Sequence, residues 1–198
     1  MKDKAVGEIK YPPPAKLIVG LLTGESPLFV EVEVRLMARF GPLDLESTTF
    51  PFNFTDYYQK EMGSGLWRKY ISFRDLIPKE ALPGIKVFTN GLEAEYAGEK
   101  SGRGCRRINI DPGYLTAAQI VLATTKDYSH RIYLGQGVYG DPHLRYSRGG
   151  FQPFEWTYPD YRTGEALDFF LRAREVYLKA LRGLVEGSGT KEYSNSRP

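Results

Sequence analysis

Three short polar stretches hold the side chains best suited to chemistry. In Arg106-Arg107-Ile108-Asn109-Ile110-Asp111-Pro112-Gly113-Tyr114, an extended backbone puts Arg107, Asn109 and Asp111 on one face and the isoleucines on the other. An arginine, an amide and a carboxylate in one row can hold an anion or a metal-bound phosphate; the same row also reads as a solvent-facing strand closed by a turn. Lys126-Asp127-Tyr128-Ser129-His130-Arg131 gathers two fixed cations and an imidazole into one loop. Such a loop can clamp phosphate while the histidine exchanges a proton near neutral pH. Trp156-Thr157-Tyr158-Pro159-Asp160-Tyr161-Arg162 interleaves aromatics with charge. That composition stacks bases in single-strand binders and, more commonly, packs the start of a helix onto a sheet.

Other candidate motifs fail on spacing. Gly98-Glu99-Lys100-Ser101 has Glu99 where a phosphate loop needs glycine before its lysine, and it follows a helical pattern rather than a strand. Thr125-Lys126-Asp127 is a fragment of a guanine-reading element whose second acid is replaced by Tyr128. The two histidines, His130 and His143, reach a zinc ligand count only with Asp111 or Asp141, at no familiar metal spacing. Cys105 is the single cysteine, which excludes an intramolecular disulfide framework and a multi-thiolate zinc site and fits a reducing compartment.

The elements that must position these groups follow from periodicity and punctuation. Pro12-Pro13-Pro14 closes a stiff lead-in over residues 1–14, and Lys16 to Thr23 reads as a buried strand. Glu31, Glu33 and Arg35 alternate with valines, as in the Glu-x-Glu-x-basic strands of triphosphate-tunnel enzymes. Ser26 as N-cap, Pro27 at the first helical position and the Gly41-Pro42 stop instead predict a helix with both glutamates on its solvated face. Strands are expected over Leu43–Phe54 and Lys69–Ile77, then a helix over Pro83–Tyr96 with Lys86, Asn90 and Glu93 opposite its apolar face. A polar turn over Gly98–Gly104 leads to a strand ended by a type II turn at Asp111-Pro112-Gly113. The order βαββαβ implies an α+β fold with a ferredoxin-like core, two helices on one face of an antiparallel sheet. Thr116 to Gln119 has capping-box spacing. Additional strands are expected over Ile120–Thr125, Arg131–Leu134 and Val138–Tyr146, and a long C-terminal helix from Thr163 to Gly187.

Composition sets the class. Residues 15–186 read as one α+β domain, followed by a polar, disordered tail over 187–198. A hydrophobic fraction of 41% supplies a core, and 27 basic against 24 acidic residues, net +3, provides no strong field for non-specific nucleic-acid binding. No apolar run reaches the roughly 18 residues of a spanning helix, so a soluble, cytoplasmic protein without membrane partners is expected.

Several stretches together resemble a family of small bacterial and archaeal proteins catalogued as a domain of unknown function, whose members are often labelled GTP-binding proteins. They are Phe54-Thr55-Asp56-Tyr57-Tyr58, Glu61-Met62-Gly63, Lys86 to Glu93, Asn109 to Tyr114, Lys126 to Leu134 and Thr157 to Tyr161. The resemblance spans roughly Lys16 to Tyr177 and selects Asp56, Asn90, Glu93, Asn109, Asp111, Lys126, His130, Arg131 and Asp160. Where the family tends to have Glu-Val-Thr-Leu, this chain has Asp141-Pro142-His143-Leu144, which keeps a carboxylate and argues against a direct role for His143.

This mixture of carboxylates, cations and amides suits a nucleotide or other phosphorylated small molecule with Mg²⁺. The expected site has His130, Asp111 and Glu93 as catalytic groups. Arg131, Lys126, Arg107, Asn109, Asn90, Tyr114 and Asp160 hold the ligand, and Asp111 and Asp141 ligate the metal. The competing readings are an RNA-binding module and a protein-interaction scaffold, with a homo-oligomer compatible with each.

Overall fold

Ala15–Thr23 is an apolar run, and in the computed structural model, which describes residues 10–100 and 103–189, it forms a strand (β1) buried along its whole length. A strand covered on both faces sits in the middle of a sheet, and β1 is hydrogen-bonded on both edges. The other elements are α1 (Ser26–Phe40), β2 (Leu43–Glu46), β3 (Phe50–Pro51), α2 (Gln59–Met62), β4 (Trp67–Ile77), α3 (Leu82–Glu95), β5 (Gly98–Lys100), β6 (Arg103–Cys105), β7 (Ile108–Leu115), β8 (Gln119–Thr124), β9 (Ile132–Gly135), β10 (Val138–Ser147), β11 (Gly150–Pro153) and α4 (Gly164–Gly189). Nine strands make one antiparallel sheet ordered β11-β10-β8-β7-β1-β4-β2, with β3 on β4 and β9 on β10; β5 and β6 form a separate ribbon.

Strand alternation divides the core between two sets of helices. Leu17, Val19 and Leu21 of β1, with Ile71, Phe73, Ile108 and Ile110, pack against α1 and α3. Ile18, Tyr70, Leu115, Ile120 and Leu144 pack against Ala166, Phe169, Phe170, Ala173 and Tyr177, one helical stripe of α4. Thr163 starts that helix, its Oγ1 accepting the Ala166 N–H at 3.2 Å. The sheet is therefore covered on both faces, and Tyr177 Oη, deep along α4, donates to Pro14 O at 2.9 Å.

Several local expectations are corrected. Asp111-Pro112-Gly113 is no turn: β7 runs through it, paired to β1 along its length. Pairing to β8 begins only at Gly113, so Pro112 lies where the strand has a neighbour on one side, a position that tolerates a missing N–H. Thr116 opens no helix; its hydroxyl accepts the N–H groups of Ala118 and Gln119 in the tight β7–β8 turn. The strand expected over 43–54 breaks into β2 and β3, and the turn over 98–104 is the β5–β6 ribbon, with 101–102 outside the described residues. Helix α1 begins at Ser26 itself, after Glu25, without a side-chain cap. Glu33 is buried rather than solvated, 2.7 Å from Lys69 Nζ, which also reaches Glu46. Helix α4 runs to Gly189, two residues past the expected stop. The rest of the expected tail, 190–198, and residues 1–9 of the lead-in lie outside the described residues.

Candidate functional site

The site is built around a residue inside the sheet. In β4, alternation sends Lys69, Ile71 and Phe73 one way and Arg68, Tyr70 and Ser72 the other. Arg68 is only 1% exposed; its Nη1 lies 3.2 Å from Asp111 and its Nε 2.9 Å from Asp160. Its guanidinium carbon stands 5.4 Å from the centre of the Phe52 ring and 5.8 Å from that of Tyr70, whose hydroxyl donates to Asp160 at 3.1 Å. Gly20 of β1 sits opposite both Tyr70 and Asp111. A Cβ there would lie 3.0 Å from the Tyr161 hydroxyl and 3.1 Å from Arg68 Nη1, so the missing side chain makes room for the guanidinium.

Burial alone would make the Arg68 guanidinium easier to deprotonate, but Asp160 and Asp111 outweigh it and hold the charge. Burial would likewise push the Asp111 carboxyl up; Arg68 and Lys86, with the Asn109 amide donating at 2.6 Å, hold it below the ordinary value instead. The network ties the 3-10 turn Pro159–Arg162 to the sheet. Arg162 completes the attachment by donating to the carbonyls of Thr157, Phe154 and Glu155, and Trp156 Nε1 donates to Pro142 O at 2.7 Å.

Two cavities lie above this network. The larger, about 530 Å³, is lined by the rings of Phe52, Tyr57, Tyr58, Tyr128, Trp156 and Tyr158. Arg68, Lys126, His130, Arg131 and Asp160 also reach it. The smaller, about 210 Å³, is polar, with Lys86, Asn90 and Glu93 from α3 facing Asn109 and Asp111 of β7 and Asp141 of β10. Tyr57, Tyr58, Lys126 and Tyr158 line both and form the wall between them.

Nine of the eleven residues expected in the site thus line one cavity or the other. The two exceptions have other partners. Arg107 precedes β7, points away from Asn109 and Asp111, and forks onto Glu25 at the surface. Tyr114 packs against the cluster of Leu82, Ala123 and Val138.

Within the lining, roles separate by how far each group is already engaged. Arg131 donates Nε to Asp141 at 2.9 Å, Nη1 to Lys126 O at 2.9 Å and Nη2 to the Tyr158 hydroxyl at 3.1 Å, so its hydrogen bonds brace the loop. Lys126 Nζ donates to the Tyr57 hydroxyl at 2.7 Å, and among the described residues it has no carboxylate within ion-pairing distance. His130 stacks on Trp156, ring centres 4.4 Å apart at 16°, with Nε2 3.5 Å from Asp141 but not aligned for a hydrogen bond.

Asp141 also holds His143, whose Nδ1 lies 3.2 Å away while Nε2 accepts the Tyr158 N–H, which places the proton on Nδ1. His143 is fully buried and serves as a support. Burial would raise the Asp141 carboxyl, but His143 and Arg131 lower it. Glu93 goes the other way: burial raises its carboxyl, and Lys86 and the Ile110 N–H, 2.5 Å from Oε1, offset this only in part. Tyr58 and Tyr158 are both pushed up, chiefly by burial, and remain hydroxyl donors.

A resident Mg²⁺ fits this donor set poorly. Among the described residues no three His, Cys, Asp or Glu side chains converge as ligands. Asp111 and Asp141 are each neutralised by an arginine and belong to different hydrogen-bond clusters.

Arg68 was not picked out from sequence, and Lys86, Tyr57 and Tyr58, though they lie in stretches that carry the family resemblance, were given no role in the site. For Arg68 the signal was a charge at an inward position of an alternating strand, Arg68-x-Tyr70-x-Ser72, beside apolar neighbours. No helix among the described residues is long and apolar enough to cross a membrane. No curated protein and no solved structure matches the chain. A family model described as Domain of unknown function (DUF4416) matches residues 13–177, which takes in β1, both cavities and most of α4. With that match covering most of its length, the chain belongs to this family.

Proposed function

We propose that the chain binds a nucleotide or another ring-bearing phosphorylated small molecule in the paired cavities and acts on it as an enzyme. The observation that carries this reading is the meeting of six aromatic side chains with Lys126, Arg68 and His130 around one cavity of about 530 Å³. Ligand pockets typically span about 300–1,000 Å³ and combine apolar walls with a few polar groups. Tyr57 and Tyr128, both more than half exposed, present flat surfaces a ring would use, while Trp156, stacked on both His130 and Phe154, holds the cavity wall. Glu93 is suited to move a proton, since its carboxyl is raised toward neutrality and, among the described residues, its Oε2 accepts no hydrogen bond, with Arg106 4.0 Å away. Any Mg²⁺ would arrive with the ligand's phosphate.

We read α1, α3 and strands β7-β1-β4-β2 as a ferredoxin-like core, which their connectivity supports. The RNA reading is less well supported, because it needs aromatics on an open sheet face and helices cover both faces. The scaffold reading is less well supported: over 151–162, Phe151, Thr157, Asp160 and Tyr161 are buried within the chain itself, and the exposed aromatics, Trp156 and Tyr158, line the larger cavity.

Thermal denaturation against nucleotides, sugar phosphates and short RNAs tests the reading. A ring-bearing phosphate at about a hundredfold excess over its Kd adds about 2.7 kcal/mol, a rise in Tm of roughly 5–10 °C for a chain of this size. Lys126→Met is expected to shrink the shift. A panel in which ring-bearing phosphates leave Tm unchanged would sink the proposal.

A further inference from the structure

The smaller cavity has a chemistry of its own. Among the described residues, the Tyr58 hydroxyl and the Asn90 amide line it without making any side-chain hydrogen bond. Lys86 Nζ donates once, to Ile110 O at 3.0 Å, and Lys126 Nζ once, to Tyr57, so each ammonium keeps two donors unused. The Tyr158 hydroxyl accepts from Arg131 and keeps its own proton to give. These donors stand beside two carboxylate oxygens that accept no hydrogen bond among the described residues, Asp111 Oδ1 and Glu93 Oε2, a set that suits an acceptor-rich, anionic guest still carrying a proton.

Size and charge limit that guest. About 210 Å³ is roughly the room of seven waters at ~30 Å³ each, enough for one phosphate and part of its hydration. The two cavities together are lined by five cations, Arg68, Lys86, Arg106, Lys126 and Arg131, and four carboxylates, Glu93, Asp111, Asp141 and Asp160. Arg106 also leans on Glu61, 3.0 Å away. The smaller cavity alone carries three cations and three carboxylates. With Arg106 held by Glu61, Asp111 by Arg68 and Asp141 by Arg131, Lys86 and Lys126 are left, among the described residues, as lining cations with no carboxylate in ion-pairing distance, which suits one anionic group and does not neutralise a chain of phosphates.

Resting on the reading of the larger cavity as a ring site, we propose that the smaller cavity is the anion subsite. It takes a single phosphate, joined across the Tyr57–Tyr58–Lys126–Tyr158 wall to a ring held in the larger cavity. The favoured ligand class is a nucleoside monophosphate or a compound of that shape, not a nucleoside triphosphate. Tyr58 and Asn90 read the phosphate directly, and Lys86 and Lys126 supply its counter-charge.

Isothermal titration of the whole protein with the four common ribonucleosides, their 5′-monophosphates and their 5′-triphosphates separates the possibilities. The monophosphate of the preferred base is expected to bind at least about tenfold more tightly than its nucleoside, with no gain from further phosphates. Asn90→Ala is expected to remove about three- to tenfold of the monophosphate's affinity and to leave the nucleoside's unchanged, and Tyr58→Phe, at a residue that also lines the larger cavity, to weaken the monophosphate more than the nucleoside. Circular dichroism of both variants checks that each is folded. Equal binding of nucleoside and monophosphate, tighter binding of the triphosphate, or equal losses for both ligands would overturn the anion subsite while leaving the ring site standing. Binding of none of these compounds would overturn both.

Discussion

Arg68 is the residue on which the site's geometry depends. It is the shared counter-ion of Asp160, 2% exposed, and of the partly buried Asp111, so removing it takes the cation from two carboxylates at once. Arg68→Met is expected to lose about 3–5 kcal/mol in chemical denaturation; a loss below about 1 kcal/mol would show that the pairs are dispensable. Glu93 gives a prediction of opposite character. Its carboxyl is raised in the folded state, so folding is favoured by the protonated form. That contribution is fully present below the ordinary carboxylate pKa and is lost as pH rises through the raised value. Glu93→Gln, which cannot ionise, should therefore gain on wild type as pH rises above the ordinary carboxylate value, and a difference that narrows as pH rises would refute the assignment. Asp111 and Asp141, both lowered, stabilise the fold above the ordinary carboxylate range and cease to do so as pH falls through their depressed values. The polar stretches made Asp111, Lys126, His130 and Asp160 legible from sequence. Arg68 was not, because one charge in an apolar strand acquires meaning only once Gly20 is known to leave room for its guanidinium and Asp111 to meet it.

Elements were legible where a long period and a matching terminus coincided, as in α1, α3 and α4. They were misread where local turn chemistry competed with pairing between distant segments. Asp111-Pro112-Gly113 has the composition of a turn, yet β1 lies alongside and the register to Gly20, Val19 and Ile18 holds it extended. Gly113 has a packing reason to be glycine: a Cβ there would stand 2.6 Å from Val121 O, a backbone atom of β8 that cannot swing aside. Gly113→Ala is expected to cost about 1–3 kcal/mol by forcing β7 and β8 apart. Amide exchange would reveal it as faster exchange confined to the 113–122 hairpin, and unchanged protection there would contradict the close approach. At the other end of the site, Thr163→Ala removes the cap of α4 and should cost about 1 kcal/mol in thermal denaturation without altering ligand affinity.

At the scale of the whole molecule, the two cavities draw their walls from segments far apart in sequence: the Tyr57–Tyr58 turn, α3, β7, the 126–131 loop and the 154–162 segment. Sequence showed three of these as separate polar clusters. Their convergence rests on the sheet order β8-β7-β1-β4, which sequence pattern does not specify beyond local pairs. The hydrogen bond from Tyr177 to Pro14 adds a topological consequence. Those residues sit at the two bounds of the family match, 13–177, so the stretch shared with the family starts and finishes in contact, with the rest of α4 running on to Gly189. A chain whose ends meet can be cut and rejoined. Linking residue 178 to residue 13 through a short Gly-Ser bridge, and opening the Gly135-Gln136-Gly137 hairpin turn, should give a circular permutant that keeps both cavities.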